Sequence, residues 1–282
     1  MNSKLALGTV QFGLDYGVAN HTGQVKAGEA RRILDYSKKN KIKTLDTASA
    51  YGESERVLGE IGVNDYEIIT KTSSLTNNVQ EVVDNLYKSL DNLKTNRVEG
   101  LLIHDTCDVQ NKWFDDLFGK LRVLQNEGLI GKIGFSTYMP EQIDFLLRNF
   151  EFELIQLPFN VFDVRLLDGG QLNKLQIKGV VVHARSVFLQ GLLVNFDNLP
   201  DYFRVWEKQF QEYQSIVSES RLSLLEYALN FVLNIPQIDK VLVGVTSESQ
   251  LNEIVNAVKS LPKLKAYPVD DINLLNPSLW SK

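Results

Sequence analysis

Asp46, Tyr51, Lys71 and His104 stand at the ends of short apolar runs, or one loop beyond. The stretch 44–52 reads Thr-Leu-Asp-Thr-Ala-Ser-Ala-Tyr-Gly, and it carries the carboxylate and the phenol together. The run Glu67-Ile68-Ile69-Thr70 ends on Lys71, and Gly100-Leu101-Leu102-Ile103 ends on His104. If these runs are parallel strands of one sheet, with neighbours about 4.8 Å apart, the four side chains converge at one edge. Their chemistry is then that of a carbonyl. A free phenol, with a pKa of about 10, is a poor acid at neutral pH. A lysine ammonium beside it favours the phenolate and lowers that value, and a carboxylate paired with the lysine holds its charge in place. Such a phenol gives or takes a proton at a carbonyl oxygen, and His104 can donate a hydrogen bond to the same atom. Taken singly, each residue has an ordinary reading. Asp46 is a helix cap or a satisfied loop aspartate, Lys71 a solvated lysine, Tyr51 a packing residue and His104 a hydrogen-bonded histidine at the core's edge.

The elements that must bring them together follow from the patterning. Short apolar runs at 5–9, 43–46, 66–70, 98–103, 130–135, 154–157, 179–183 and 240–245 alternate with helical periodicity. The predicted helices cover 27–39, 53–61, 79–93, 111–126, 140–149, 166–176, 221–233 and 247–261, with a further one from about Asp201. In the first, Ala30, Ile33, Leu34 and Ser37 share a face; in 79–93 the stripe is Val82, Val83, Leu86, Leu90 and Leu93. Gly13, Gly17 and Gly23 mark a loop after the first run, and the tail from Pro262 is irregular and expected to pack over one end of the core. Eight strand–helix units in 282 residues fit a single (β/α)8 TIM barrel spanning 1–282, an architecture of roughly 250 residues with its active site at the C-terminal strand ends. A doubly wound open sheet is the competing arrangement, and the first turn lacks its Gly-x-Gly-x-x-Gly sequence.

Composition excludes several classes. The chain is 44% hydrophobic and 23% charged with a net charge of −5, which points to no nucleic-acid or anionic-membrane partner. One cysteine, Cys107, and three histidines, with no CxxC or HExxH spacing, leave no metal motif. The first residues hold too short an apolar run for a signal peptide, and no run nears a membrane span. The expected location is the cytoplasm.

The combination of motifs resembles the aldo-keto reductase superfamily over nearly the whole chain. The residues that carry it are Leu7-Gly8-Thr9, Leu45-Asp46-Thr47-Ala48 with Tyr51-Gly52, Thr70-Lys71, Leu102-Ile103-His104, Gly134-Phe135-Ser136, Gln156, Ser186 with Gln190-Gly191-Leu192-Leu193, and Gly244 through Leu251 with Glu253. The resemblance implies a monomeric, nicotinamide-dependent carbonyl reductase. Tyr51 would be the proton donor, Lys71 and Asp46 would tune it, and His104 would orient the carbonyl. Ser136 and Gln156 would hold the nicotinamide amide. Gly8, Thr9, Arg185, Ser186 and Gly191 would line the cofactor site. Gly244, Thr246, Ser247, Gln250 and Glu253 would take the adenosine side, where a helix N-terminus suits a phosphate.

Two positions depart from that pattern. The family's tyrosine stacked on the nicotinamide is replaced by Arg185, whose guanidinium plane can also stack or pair with an acid. The arginine expected at the 2′-phosphate of NADPH is replaced by Gln250 with Glu248 close by, so NADPH is the family expectation and NADH is admitted. A nucleotide-sensing regulatory subunit on the same fold is the alternative function, and an unrelated barrel isomerase or epimerase using Lys71 and His104 a third. The 5–17 and 183–193 segments resemble a bacterial subgroup associated with polysaccharide and sugar biosynthesis, which makes a keto-sugar or sugar nucleotide the expected substrate. Trp113, Phe159, Phe162, Phe188 and Phe196 fall near loops that would wall the substrate site or pack the core.

Overall fold

Eight parallel strands pair in chain order and the eighth closes on the first: β1 (Leu5–Gly8), β2 (Thr44–Asp46), β3 (Glu67–Lys71), β4 (Val98–Ile103), β5 (Ile130–Ser136), β6 (Leu154–Pro158), β7 (Val181–Arg185) and β8 (Lys240–Gly244). The computed structural model describes residues 2–76, 78–197, 199–261 and 263–280. The sequence-predicted (β/α)8 barrel is therefore the fold. Helices stand between successive strands, and their apolar stripes are buried as their periodicity requires. Helix Ala27–Lys39 buries Ala30, Ile33, Leu34 and Ser37. Helix Val79–Leu93, capped by the Asn78 side chain on Gln80 N–H, buries Val82, Val83, Leu86, Leu90 and Leu93.

Several boundaries differ from the predicted ones, each for a local reason. The expected helix 166–176 is two, Arg165–Asp168 and Gln171–Ile177, because Gly170 takes φ 78° between them. The expected start at 221 moves to Leu224. Arg221 has φ 60°, and Ser223 forms a capping box with Glu226. The expected helix 247–261 ends at Ala257. There Asn230 of the neighbouring helix donates to Ala257 O and accepts from Lys259 N, which ends the helical ladder. The expected helix 111–126 starts at Phe114 after a 3-10 turn, Thr106–Gln110. Gly13, expected in a loop, ends a short helix, Val10–Gly13.

Pro262, where the tail was expected to begin, lies outside the described residues. Beyond it the tail crosses the loop after β6: Tyr267 N donates to Val161 O and Val269 N to Phe162 O, and Val269, Leu274 and Leu275 are buried. No helix among the described residues is long and apolar enough to cross a membrane.

Candidate active site

The barrel interior sets the site by a period of two. Ile69, Leu102, Leu154 and Val181 form an apolar cluster of their own, apart from the main core that lies between the strands and the helices. Side chains two residues further along a strand point the same way, one layer closer to the C-terminal mouth. Those residues are Lys71, His104, Gln156 and His183. Asp46 joins them from β2, and Ser136 from β5 lies opposite Gln156 in the strand register. The sequence places ionisable residues at three run ends. The closed barrel turns those ends into one ring.

Within the ring the polar contacts are short. The Lys71 ammonium donates to Asp46 Oδ1 at 2.6 Å and to Thr47 O at 2.9 Å. Gln156 Nε2 donates to Asp46 Oδ2 at 2.6 Å, so both carboxylate oxygens are engaged. The pair is almost fully enclosed, with side chains 1% and 5% exposed. Lys71 Nζ lies 4.9 Å from the centre of the Tyr51 ring. His104 meets that ring edge to face, with centroids 6.2 Å apart, and its backbone N–H donates to Thr72 Oγ1.

The Tyr51 loop is held from behind. A Cβ on Gly13 would sit 1.8 Å from Tyr51 O, and a Cβ on Gly52 (φ 54°) 2.6 Å from Gly13 O, so two backbones approach where no side chain fits. Ser54 Oγ donates into Thr9, whose hydroxyl donates to Asp46 O at 2.9 Å. The buried Glu55 accepts from Thr70 Oγ1 at 2.7 Å, bracing the residue before Lys71.

Burial and neighbouring charge shift four of these groups. Burial alone would lower the Lys71 pKa, but Asp46 and Tyr51 outweigh it and the net direction is upward. Burial also raises Tyr51; Lys71 pulls it down and does not prevail. The expectation of a net-lowered phenol is corrected on this point: desolvation keeps the ring OH protonated. Burial, then the charge of Lys71, brings His104 down to about 4. Burial, then Lys240 and Lys71, brings His183 to about 3, with Nδ1 buried and without a partner among the described residues.

A stability prediction follows from the two histidines. Both stay neutral in the folded chain while the unfolded chain takes up protons below about pH 6.5. The unfolded state then binds more protons, so stability falls as pH drops from about 6.5 toward 4. Thermal melts across that range are expected to show a falling midpoint, with a shallower fall in His183→Leu. A slope unchanged by that substitution would contradict the assignment.

The expected cofactor-side residues are distributed around the same mouth. Gly8 pairs with both Asp46 and Gly244 in the strand register. Thr9 is fully buried and its hydroxyl is committed to Asp46 O, and the Gln156 amide nitrogen is committed to Asp46. On the far rim, Ser247 caps helix Glu248–Ala257 by accepting from Gln250 N. Gln250 Oε1 accepts from Thr246 N at 2.8 Å, and Glu253 accepts from Ser249 Oγ. The helix's first N–H, of Glu248, donates to Glu29 Oε1 at 2.7 Å. Arg185 stacks on Tyr138 with its guanidinium carbon 4.0 Å from the ring centre and donates to Thr137 O at 3.0 Å.

The β7 loop carries positive φ at Ser186, Leu189, Gln190 and Gly191. Gln190 ties it to the β1 loop, accepting from Val18 N and donating to the Tyr16 hydroxyl. Of the aromatic candidates, Phe159 and Phe162 are core, stacked on Phe231 and packed on Phe210 and Tyr213. Phe188 and Phe196 pack on the core's edge, and Trp113 is exposed at the start of a helix.

Sequence reasoning missed Glu29, Gln11, Thr137, Tyr138 and Tyr16. Gln11 Oε1 and Thr137 Oγ1 are buried without a partner among the described residues at this end of the barrel. Only the tertiary pairing of β1 with β8 brings Gln11 against Gly244, and no local motif signals it.

Comparison with known proteins gives the following relatives. A family model described as "Aldo/keto reductase family" matches residues 4–276. The uncharacterized oxidoreductase YqkF of Bacillus subtilis is 23% identical, with 91% of each chain covered. Aldo-keto reductase YhdN of the same organism is 26% identical over 76% of this chain and 73% of its own. The holo form of aldo-keto reductase AKR11C1 from Bacillus halodurans superimposes with a TM-score of 0.75 at 23% identity, covering 92% of this chain and 87% of that one.

Proposed function

This chain belongs to the aldo/keto reductase family and is a nicotinamide-dependent oxidoreductase of small carbonyl compounds, and from that premise we propose that Tyr51 is its proton donor. The observation that carries the proposal is the convergence of Asp46, Lys71, Tyr51 and His104 in one layer at the barrel mouth. When bound, the reduced nicotinamide supplies the hydride. Tyr51 holds the proton destined for the carbonyl oxygen. Burial keeps that proton in place, and the Lys71 ammonium stabilises the phenolate left behind. Asp46 fixes Lys71, and Gln156 fixes Asp46. His104, neutral at physiological pH, presents an uncharged imidazole to orient the carbonyl.

The residues fit a nicotinamide nucleotide. Ser136, at the end of β5, suits a carboxamide; the Thr137 hydroxyl next to it has no partner among the described residues but is fully enclosed. The Gln156 amide nitrogen, committed to Asp46, leaves its carbonyl oxygen as the part offered to the same group. Gly8, Ser186, Gly191 and Gly244 lie along the nucleotide's proposed path, although Gln11 already stands against Gly244 and Ala19 against Gly191. We assign NADH as the preferred nucleotide. The segment 244–253 carries no lysine or arginine and two acids, Glu248 and Glu253. Glu29 already occupies the helix N-terminus that a 2′-phosphate would need. Carboxylates repel that phosphate and accept hydrogen bonds from a ribose diol. The substrate class assigned from the sequence resemblance is a keto-sugar or its nucleotide.

One experiment tests these points together. Titrating the protein with NADH and NADPH, read by nicotinamide fluorescence, is expected to show tighter binding of NADH. Tighter NADPH would overturn the nucleotide assignment. Turnover of keto-sugar nucleotides against simple aldehydes then follows. Binding without turnover of any carbonyl would favour a nucleotide-sensing subunit. Turnover no better on keto-sugars would remove that substrate class.

A further inference from the structure

Arg185 ends β7 at the mouth of the barrel, and its charge is uncompensated. Asp46 is paired with Lys71, and Asp163, on the loop after β6, with Arg165. No ion pair of the described residues includes Arg185. Of five guanidinium N–H donors, one meets Thr137 O at 3.0 Å and one the Ser186 hydroxyl at 3.3 Å. Tyr138 covers one face of the plane. The other donors have no hydrogen-bond partner among the described residues, and the side chain is partly exposed.

The same mouth holds the proposed proton donor. The Arg185 charge bears on Tyr51, His104 and the Tyr16 phenol, which itself feels Tyr51 and Lys71. These groups lie within electrostatic reach of one another at this end of the barrel. Asp46 offsets Lys71 there and the imidazole and phenols are neutral; Asp105 acts on His104, and no ion pair among the described residues joins it to Arg185. A half-buried cation with a rigid, partly unused donor fork matches a carboxylate or a phosphate. It also gains most from an anion that excludes water around it.

We propose that Arg185 determines substrate specificity, and that the natural carbonyl substrate carries a carboxylate or phosphate that pairs with its guanidinium. The inference rests on the reductase reading. It narrows that reading to anionic carbonyl compounds, whatever their carbon skeleton.

The test compares matched substrates: 4-carboxybenzaldehyde against methyl 4-formylbenzoate, and glyceraldehyde 3-phosphate against glyceraldehyde. The wild type is expected to favour the anionic member of at least one pair by about tenfold or more in kcat/KM. The pair that responds identifies the anion. Arg185→Gln, which keeps a donor for Thr137 O and removes the charge, is expected to bring that ratio toward one. Arg185→Lys is expected to retain a large part of it. Taking the ratio within each variant cancels any general damage to cofactor binding. Ratios near one in both wild-type pairs overturn the proposal. So does a ratio that Arg185→Gln leaves unchanged while cofactor affinity falls.

Calorimetry provides a readout that needs no turnover. The alcohol 4-(hydroxymethyl)benzoate is expected to bind the wild type at least about tenfold more tightly than its methyl ester, and Arg185→Gln to lose the difference. Glycerol 3-phosphate against glycerol makes the same comparison for a phosphate, and equal affinities within both pairs overturn the proposal whether or not any aldehyde reacts. Failure to reduce any aldehyde, neutral or charged, counts instead against the reductase reading.

Discussion

Tyr51→Phe is expected to lower turnover about 10²–10⁴-fold, the range of a positioned general acid, with cofactor affinity nearly unchanged. The substitution removes one oxygen and keeps the ring, so the edge-to-face contact with His104 and the Lys71 position over the ring can persist. The Gly13–Gly52 backbone contact that places the loop involves no part of the phenol. The lost group is the one that burial keeps protonated and Lys71 prepares to ionise. Single-turnover rates at saturating cofactor, beside a cofactor titration, separate chemistry from binding. A variant that reduces aldehydes at close to the wild-type rate would sink the assignment of Tyr51 as acid.

The second large effect concerns Lys71 and Asp46. Lys71→Met leaves the Asp46 carboxylate enclosed with the Gln156 amide as its one remaining side-chain partner among the described residues. Removing one member of a buried pair typically costs about 3–5 kcal/mol, because the remaining charge is uncompensated. The variant is expected to melt well below the wild type and to lose turnover about 10²-fold or more, since the phenolate loses its counter-charge. The double variant Asp46→Asn/Lys71→Met is expected to regain much of the stability and none of the turnover. Recovery of both would mean that the pair serves the fold alone. The folded Lys71 pKa is raised, so the pair's contribution is full below the unfolded value of about 10.4 and is lost as pH rises through the folded value. Denaturation at neutral pH therefore reads the pair intact.

These two results would also separate support from chemistry in the layer as a whole. Thr9, Ser54 and Glu55 are enclosed and brace the backbone behind Asp46 and Thr70. Tyr51, His104 and Arg185 are partly open to the mouth. The braced residues are spent on protein partners, whereas the open ones retain donors or a proton for something that arrives.

The eight-unit alternation was legible because strand and helix periods are local. A stripe such as Val82, Val83, Leu86, Leu90 and Leu93 needs no partner to be read. Helix ends were less legible where a distant residue set them. Asn230 stops helix Glu248–Ala257 from another helix, and no feature near residue 258 announces it. The ionisable residues closing β2, β3 and β4 were visible as run ends, and the shared period of two put them in one layer once the runs became neighbours.

What the sequence determined by itself was the barrel and the run-end residues Asp46, Lys71 and His104 at its mouth, since both follow from residue type and spacing along the chain; His183, in the same layer, was not among them. What only the tertiary structure decided was how each member is spent. Barrel closure brings the Gln156 amide onto Asp46, 110 residues away, and packing of helix Ala27–Lys39 beside helix Glu248–Ala257 sets Glu29 on the first N–H of a helix 219 residues further on. Enclosure, rather than the neighbouring lysine, sets the direction of the Tyr51 pKa. Desolvation and pairing depend on what surrounds an atom in space, and that is settled only when the sheet closes.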